Sequence, residues 1–110
     1  MLYTTWHVGD QEYHLRLTTK AIIDLEKKLG RNPVSPFLDV EKGRLVTLTE
    51  MTAILHAAMQ PLGHGITEAK TCEILDRYFE DGHNLYDLVP VLTDVFRSSG
   101  LIPAESGETE

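Results

Sequence analysis

A chain of 110 residues has the length of one domain, and its 42% hydrophobic and 25% charged residues are typical of a globular protein. Its 17 acidic and 10 basic residues give a formal net charge of -7, which disfavours nucleic acid and anionic membrane surfaces as partners. The single cysteine, Cys72, excludes an internal disulfide and a cysteine-rich zinc site. No apolar run approaches the ~20 residues that span a bilayer, and the first ten residues lack the features of a signal peptide, so we expect an intracellular protein.

The first seventeen residues predict a β-hairpin that turns at Gly9-Asp10, because glycine accepts the positive φ of a two-residue turn. The alternation of polar and apolar residues then holds on both strands in one register. Three cross-strand pairs make a largely apolar face: Trp6 with Tyr13, Thr4 with Leu15, and Leu2 with Leu17. The opposite face carries Tyr3, Thr5, His7, Glu12, His14 and Arg16. An isolated hairpin is marginal in water, so we expect the apolar face to lie on helices and the six residues opposite to form a self-association surface.

The first predicted helix begins at a cap on Thr18 or Thr19 and runs to about Leu29, where Gly30 stops it. Its buried stripe is predicted to be Ala21, Ile22, Leu25 and Leu29. We interpret Lys27, Lys28 and Arg31 as favourable cations at the helix C-terminus. The segment SPFLDV predicts a short second helix with proline in its first turn, and EKGRL predicts a polar turn.

Three longer helices are predicted in the second half. A capping box from Thr47 to Glu50 precedes MTAILHAAMQ, and Pro61 is expected to end that helix before the connector QPLGHG. The apolar face of this helix is predicted to be Met51, Ile54, Leu55, Ala58 and Met59. Thr67 caps the next helix, which Gly82 closes, and its apolar face is predicted to be Ala69, Cys72, Leu75, Tyr78 and Phe79.

The last predicted helix lies in NLYDLVPVLTDVFRSSG, which Asn84 opens. Its apolar residues repeat at helical spacing: Leu85, Leu88, Val89, Leu92, Val95 and Phe96. Pro90 lies inside this pattern and predicts a kink. The plan is therefore a mainly α, α+β fold with an N-terminal β-hairpin and four to five helices. We expect one domain over residues 1–102 and a disordered acidic tail over 103–110.

The histidines and the cysteine are better explained as structural residues than as parts of a chemical site. The five histidines are His7, His14, His56, His64 and His83. No pair has the i, i+4 spacing of a helical metal site, although His56 and His64 could meet across their Pro-Gly turn with Cys72 or His83 nearby. We interpret His56 as half-buried, His64 as a loop residue and Cys72 as a small core residue rather than a nucleophile. No P-loop, G-x-S-x-G or dinucleotide fingerprint occurs, so we expect no cofactor, no metal and no enzyme activity.

A helix-turn-helix is the last alternative that the residues raise. The two helices after Thr67 and Asn84 have the order of such a motif. A recognition helix needs cations and amides at its N-terminal end, whereas the second helix carries Asp87 and Asp94 against a single Arg97. Binding to DNA is therefore not expected.

Three segments are similar to phage tail assembly chaperones of Gram-positive long-tailed phages and prophages. The first, YHLRLTTKAIIDLEKKLGRNPV, has the β-element, the helix ending in LEKKLG and the Asn-Pro of that family. The others are LTEMTAILHAAMQPLGHGIT and ILDRYFEDGHNLYDLVPVLTDVFRSSGLIP. The resemblance covers roughly residues 11–103. It consists of structural residues and includes no catalytic signature.

The resemblance implies a non-enzymatic helper that binds the tape measure protein and recruits subunits of the major tail protein. It also implies a protein of the bacterial host cytoplasm that is absent from the mature virion, and a homo-oligomer is compatible with the open hairpin edges. Two other interpretations stay open: a structural tail or head–tail component, and a small regulatory protein-binding module.

Overall fold

The computed structural model describes residues 3–40, 46–63 and 65–103, with the backbone alone for 38–40. An antiparallel hairpin of β1 (Thr4–Val8) and β2 (Gln11–Leu15) opens the fold. The helices that follow are α1 (Thr19–Leu29), α2 (Ser35–Val40), α3 (Leu48–Gly63), α4 (Glu68–Glu80) and α5 (Leu88–Ser98). The predicted α+β class is confirmed. Leu2, the turn EKGRL, His64 and the tail from Ala104 onward lie outside the described residues.

The hairpin has the register that the alternation predicts. Thr4 pairs with Leu15 and Trp6 with Tyr13, and the turn residue Gly9 has a φ of +59°. The predicted apolar face is the one that packs on the helices, where Trp6 and Leu15 are fully buried. Because side chains alternate across a strand, burial of this face leaves the opposite face in solvent.

The predicted caps of three helices form. Thr18 Oγ1 accepts a hydrogen bond from the Ala21 N–H at 3.2 Å at the start of α1, and Thr67 starts α4 in the same way. At the start of α3, Thr47 Oγ1 accepts from the Glu50 N–H at 3.1 Å, and Glu50 Oε1 accepts from the Thr47 N–H at 3.3 Å. This reciprocal pair is the predicted capping box. It satisfies two backbone donors that the first turn of a helix otherwise leaves unpaired.

The prediction that Pro61 ends the third helix is wrong, because α3 continues to Gly63 and takes in the first part of the predicted connector. A proline removes one N–H, so in the last turn of a helix it costs one backbone hydrogen bond. The side chain of Gln60 fastens this end: its Nε2 donates to the carbonyl oxygens of His56 at 2.9 Å and Ile66 at 2.7 Å.

The predicted apolar face of α4 is also wrong in part. Ala69 and Cys72 are exposed, while the buried residues are Thr71, Ile74, Leu75 and Tyr78. The apolar residues of this helix lie on two overlapping arcs, and the neighbours of α4 select the arc that begins at Thr71. The Thr71 hydroxyl donates to the Thr67 carbonyl oxygen at 3.0 Å, which makes burial of this polar residue inexpensive.

The sequence predicts one long helix with a kink at Pro90, and the structure differs from this prediction. Instead the segment is divided into a 3-10 helix, Leu85–Asp87, and α5, which begins at Leu88. Asn84 and Asp87 form a capping box around the 3-10 helix. Pro90 therefore lies in the first turn of α5, where its missing N–H has no intrahelical acceptor to lose.

The core is centred on α3, which contacts β2, α1, α4 and α5. All five residues of its predicted apolar face are buried. In α1 the predicted stripe is confirmed in a weaker form: Leu25 is buried, and Ala21, Ile22 and Leu29 are partly buried.

Among the helices of the described residues, none combines the length and the apolarity needed to cross a membrane.

Candidate functional site

The outer face of the hairpin gathers the six residues of the predicted self-association surface. Thr5, His7, Glu12 and Arg16 are exposed, and Tyr3 and His14 are partly exposed. Its polar contacts are local: the Tyr3 ring stacks on His14 at 4.4 Å between centroids, and His14 Nε2 lies 2.9 Å from Glu12 Oε2. The hydrogen bond from His14 lowers the pKa of the Glu12 carboxyl, and the nearby His7 acts in the same direction. This face is therefore solvated and mixed in character.

The two edges of the hairpin differ in their backbone environment. In a hairpin with a two-residue turn, the pairs adjoining the turn and every second pair beyond it are hydrogen-bonded, so the residues between them direct N–H and C=O outward. On the β2 side, the Arg16 N–H, one residue beyond the strand, points outward and donates to the Ala58 carbonyl oxygen at 2.9 Å. Helix α3 therefore binds the end of this edge and packs against β2, while the outward backbone groups of Glu12 and His14 have no hydrogen bond within the described residues. On the β1 side, the outward groups belong to Thr5 and His7. No hydrogen bond from the part of the chain that the structure describes reaches them.

A groove between α1 and α3 is the second candidate surface. Its volume is about 380 Å³. Its apolar walls are Ala21, Leu25, Ala53, Ala57 and Pro61. The rim is charged, with Lys20, Asp24 and Lys28 along α1. Lys20 Nζ lies 3.3 Å from Asp24 Oδ2, so these two charges near the N-terminal end of α1 partly neutralise each other.

Sequence reasoning missed this groove because its walls come from helices that are far apart in the chain. The available signal was the run of small residues, since Ala53 and Ala57 lie one turn apart on α3. An alanine pair indicates a close approach of helices, but it does not identify the helix that approaches.

The described histidines do not form one cluster, and His14, His56 and His83 each contact different neighbours. His56 is half-buried as expected, and its Nε2 lies 3.0 Å from the Ile66 carbonyl oxygen. His83 stacks on Tyr78 at 4.2 Å, and its Nδ1 lies 3.3 Å from Asp87 Oδ2. Within the described ranges, no three His, Cys, Asp or Glu side chains are placed to hold a metal ion. Cys72, expected in the core, is exposed.

Tyr78 lies in an aromatic cluster with Trp6 and His83. Desolvation raises the pKa of its hydroxyl, the Trp6 indole partly opposes that shift, and the charge of Asp87 adds to it. The Trp6 N–H is buried and makes no hydrogen bond with a described group. The Trp6 and Tyr78 rings lie 5.2 Å apart, which joins β1 to α4. We assign this cluster to packing.

The fold and these surfaces define a small α+β domain with an open sheet edge and an apolar groove between two helices. The chain belongs to a family of unknown function, DUF6096, whose match extends over residues 2–108. Comparisons with curated proteins and with solved structures gave no significant match. Family membership assigns no activity to either surface.

Proposed function

We propose that the protein is a non-enzymatic tail assembly chaperone of a phage or prophage. In this role it binds the tape measure protein and brings subunits of the major tail protein to it in the bacterial host cytoplasm. It is then absent from the mature virion. The observation that carries the proposal is the resemblance of residues 11–103 to that family, above all the segment that ends in LEKKLGRNP.

The groove between α1 and α3 supports the proposal as a surface for a client. A tape measure protein offers long amphipathic helices, and a groove between two helices can receive the apolar face of a third. Small residues at Ala53 and Ala57 allow a helix backbone to approach closely. The charged rim then contacts the polar flanks of the client helix.

The net charge of -7 supports the same role. A strongly charged chain stays soluble at the concentration that a helper needs, because like charges oppose non-specific aggregation. A client with basic flanks would be attracted to such a chain over a distance of about one Debye length, ~8 Å at physiological ionic strength.

The proposal is tested by co-expression with the large reading frame downstream, followed by affinity pull-down. We expect a long helical protein that is soluble only with this chain and is recovered with it. Purified virions examined by mass spectrometry should lack the chain, whereas a structural tail component would be present. A downstream product that stays insoluble while this chain elutes alone contradicts the chaperone function and favours a regulatory partner.

Two variants that replace an alanine with arginine test whether the groove binds the client. Ala57→Arg places a long charged side chain in the groove and should reduce recovery of the client about tenfold or more, corresponding to a loss of at least ~1.4 kcal/mol of binding. Ala69→Arg is the matched control, because Ala69 is an exposed alanine on α4. Circular dichroism must show that both variants are folded. If both bind the client as well as the wild type, the groove is not the client surface.

A further inference from the structure

The edge of β1 is an unprotected strand edge. Proteins usually guard such edges with charged side chains, prolines, bulges or a covering element. The strand TTWHV has no acidic residue, no lysine, no arginine and no proline, and its pairing with β2 runs without a bulge. Thr5 and His7 are exposed, and their outward backbone groups lack hydrogen-bond partners within the described residues.

Charge favours a second copy of this chain as the occupant. Two copies that each carry -7 repel one another over most of their surfaces. The stretch from Tyr3 to Val8 is a part of the chain without carboxylates, whereas the outer face of β2 carries Glu12. Contact through β1 therefore brings copies together where the repulsion between them is smallest.

The positions of the outward groups define a register. Tyr3, Thr5 and His7 alternate along the edge, so an antiparallel pair of β1 strands with a two-fold axis at Thr5 sets Thr5 opposite Thr5 and Tyr3 opposite His7 of the second copy. All three positions then lie at hydrogen-bonded pairs, which gives about six backbone hydrogen bonds. The outer face gains a threonine pair, which is a favourable cross-strand combination, and sets Tyr3 of each copy opposite His7 of the other.

We infer that two copies of this chain join through β1 as a four-stranded sheet in the order β2-β1-β1-β2, with the two-fold axis at Thr5. The inference rests on the β1 edge and on the charge of the chain, and it does not depend on the proposed chaperone function. One strand pair buries less area than a standard interface, so we expect dimers to form between about 10 µM and about 1 mM. Added salt should strengthen the dimer, because it screens the repulsion between the two negative copies.

Sedimentation velocity over this concentration range tests the inference with two proline variants. Thr5→Pro removes an outward N–H and leaves the ladder within the hairpin intact, so the dimer should weaken at least tenfold while circular dichroism stays unchanged. Glu12→Pro is the matched control, because Glu12 is an outward position on β2 and should leave the dimer unchanged. A dimer that persists in Thr5→Pro overturns the inference.

Cross-linking provides a second readout if Thr5→Pro fails to fold. In a Cys72→Ser background, Thr5→Cys sets two thiols at a two-fold pair with a Cα separation of about 5.5 Å, which suits a disulfide. We expect mild oxidation to give a covalent dimer, and His14→Cys in the same background to give none. A wild type that stays monomeric to ~1 mM, together with no cross-link at Thr5→Cys, overturns the inference and leaves an extended segment of another protein as the occupant.

Discussion

The two helices that form the groove, α3 and α1, are held in different ways. Seven residues of α3 are buried, from Met51 to Met59, and they include the polar Thr52. Only Leu25 is buried in α1, although each of the two helices begins at a threonine cap. A helix that is covered on most sides is held by the core, whereas a helix with one anchor is held by its caps and its ends. The loosely covered face of α1 is what leaves the groove open.

The largest effect is expected in α3. Leu55 is completely buried, so Leu55→Ala should lower the free energy of unfolding by about 3–4 kcal/mol through lost burial and a cavity. Urea denaturation measures this loss. Leu48→Ala is the matched control on the same helix, because Leu48 is 49% exposed and its truncation should change stability by no more than ~0.5 kcal/mol. Equal losses in the two variants would contradict the central place of α3.

A smaller effect is expected in α1. Leu25 is its one buried anchor, but it lines the groove, so the site can relax after truncation. Leu25→Ala should therefore cost about 2 kcal/mol, at the low end for a buried leucine. Hydrogen exchange should accelerate more in α1 than in α3. Ile23→Ala, at a 45% exposed position of the same helix, should leave both quantities unchanged. A uniform acceleration across both helices would show that α1 unfolds only with the whole domain.

The smallest effect is expected where the two helices are tied together. Arg31, just after α1, places its Nη2 2.7 Å from Glu50 Oε2 in the first turn of α3. Glu50→Gln keeps a capping acceptor and loses the charge, so it should cost about 1 kcal/mol at pH 7. Asp24→Asn, in an exposed ion pair with Lys20, should cost no more than ~0.5 kcal/mol.

The contribution of the Arg31–Glu50 ion pair to stability should also depend on pH. Burial alone would raise the pKa of Glu50, but hydrogen bonds from Arg31 and Thr47 outweigh it and hold the pKa below its usual 4.5. A carboxyl with a lowered pKa in the folded state contributes stability above about pH 4.5 and loses it as the pH falls through the folded-state pKa. The stability difference between wild type and Glu50→Gln should therefore be constant near pH 7 and shrink below pH 4.5. A stability difference between the two proteins that is the same at pH 7 and below pH 4.5 would contradict this account.

Features that depend on near neighbours in the chain were predictable. The hairpin register follows from Gly9-Asp10 and the alternation on each side of it, and all the predicted pairs within β1 and β2 are confirmed. The caps at Thr18, Thr47 and Thr67 follow in the same way. Each involves residues three or four apart, so no distant contact is needed to form it.

Features that depend on which distant elements pack against a helix were not predictable from the sequence. On α4, the pattern predicted a face through Ala69 and Cys72 as well as Tyr78, whereas the packing of the helix buries Thr71 and Ile74 with Tyr78 and leaves Cys72 exposed. At the end of α3, the Gln60 side chain bonds to Ile66 and lets the helix pass Pro61. Neither contact can be derived from periodicity, because periodicity reports the shape of an element and not what surrounds it.

The sequence by itself therefore determined the hairpin, its turn, the capped starts of the helices and the absence of familiar catalytic motifs. The tertiary structure alone decided that α3 packs against β2 and binds Arg16 at its end, while the outward groups of β1 have no hydrogen bond among the described residues, and that α1 and α3 enclose an apolar groove. The physical reason is range. Turns and caps are set by hydrogen bonds a few residues apart, whereas an open edge or a groove is set by which distant surfaces come together to bury apolar area.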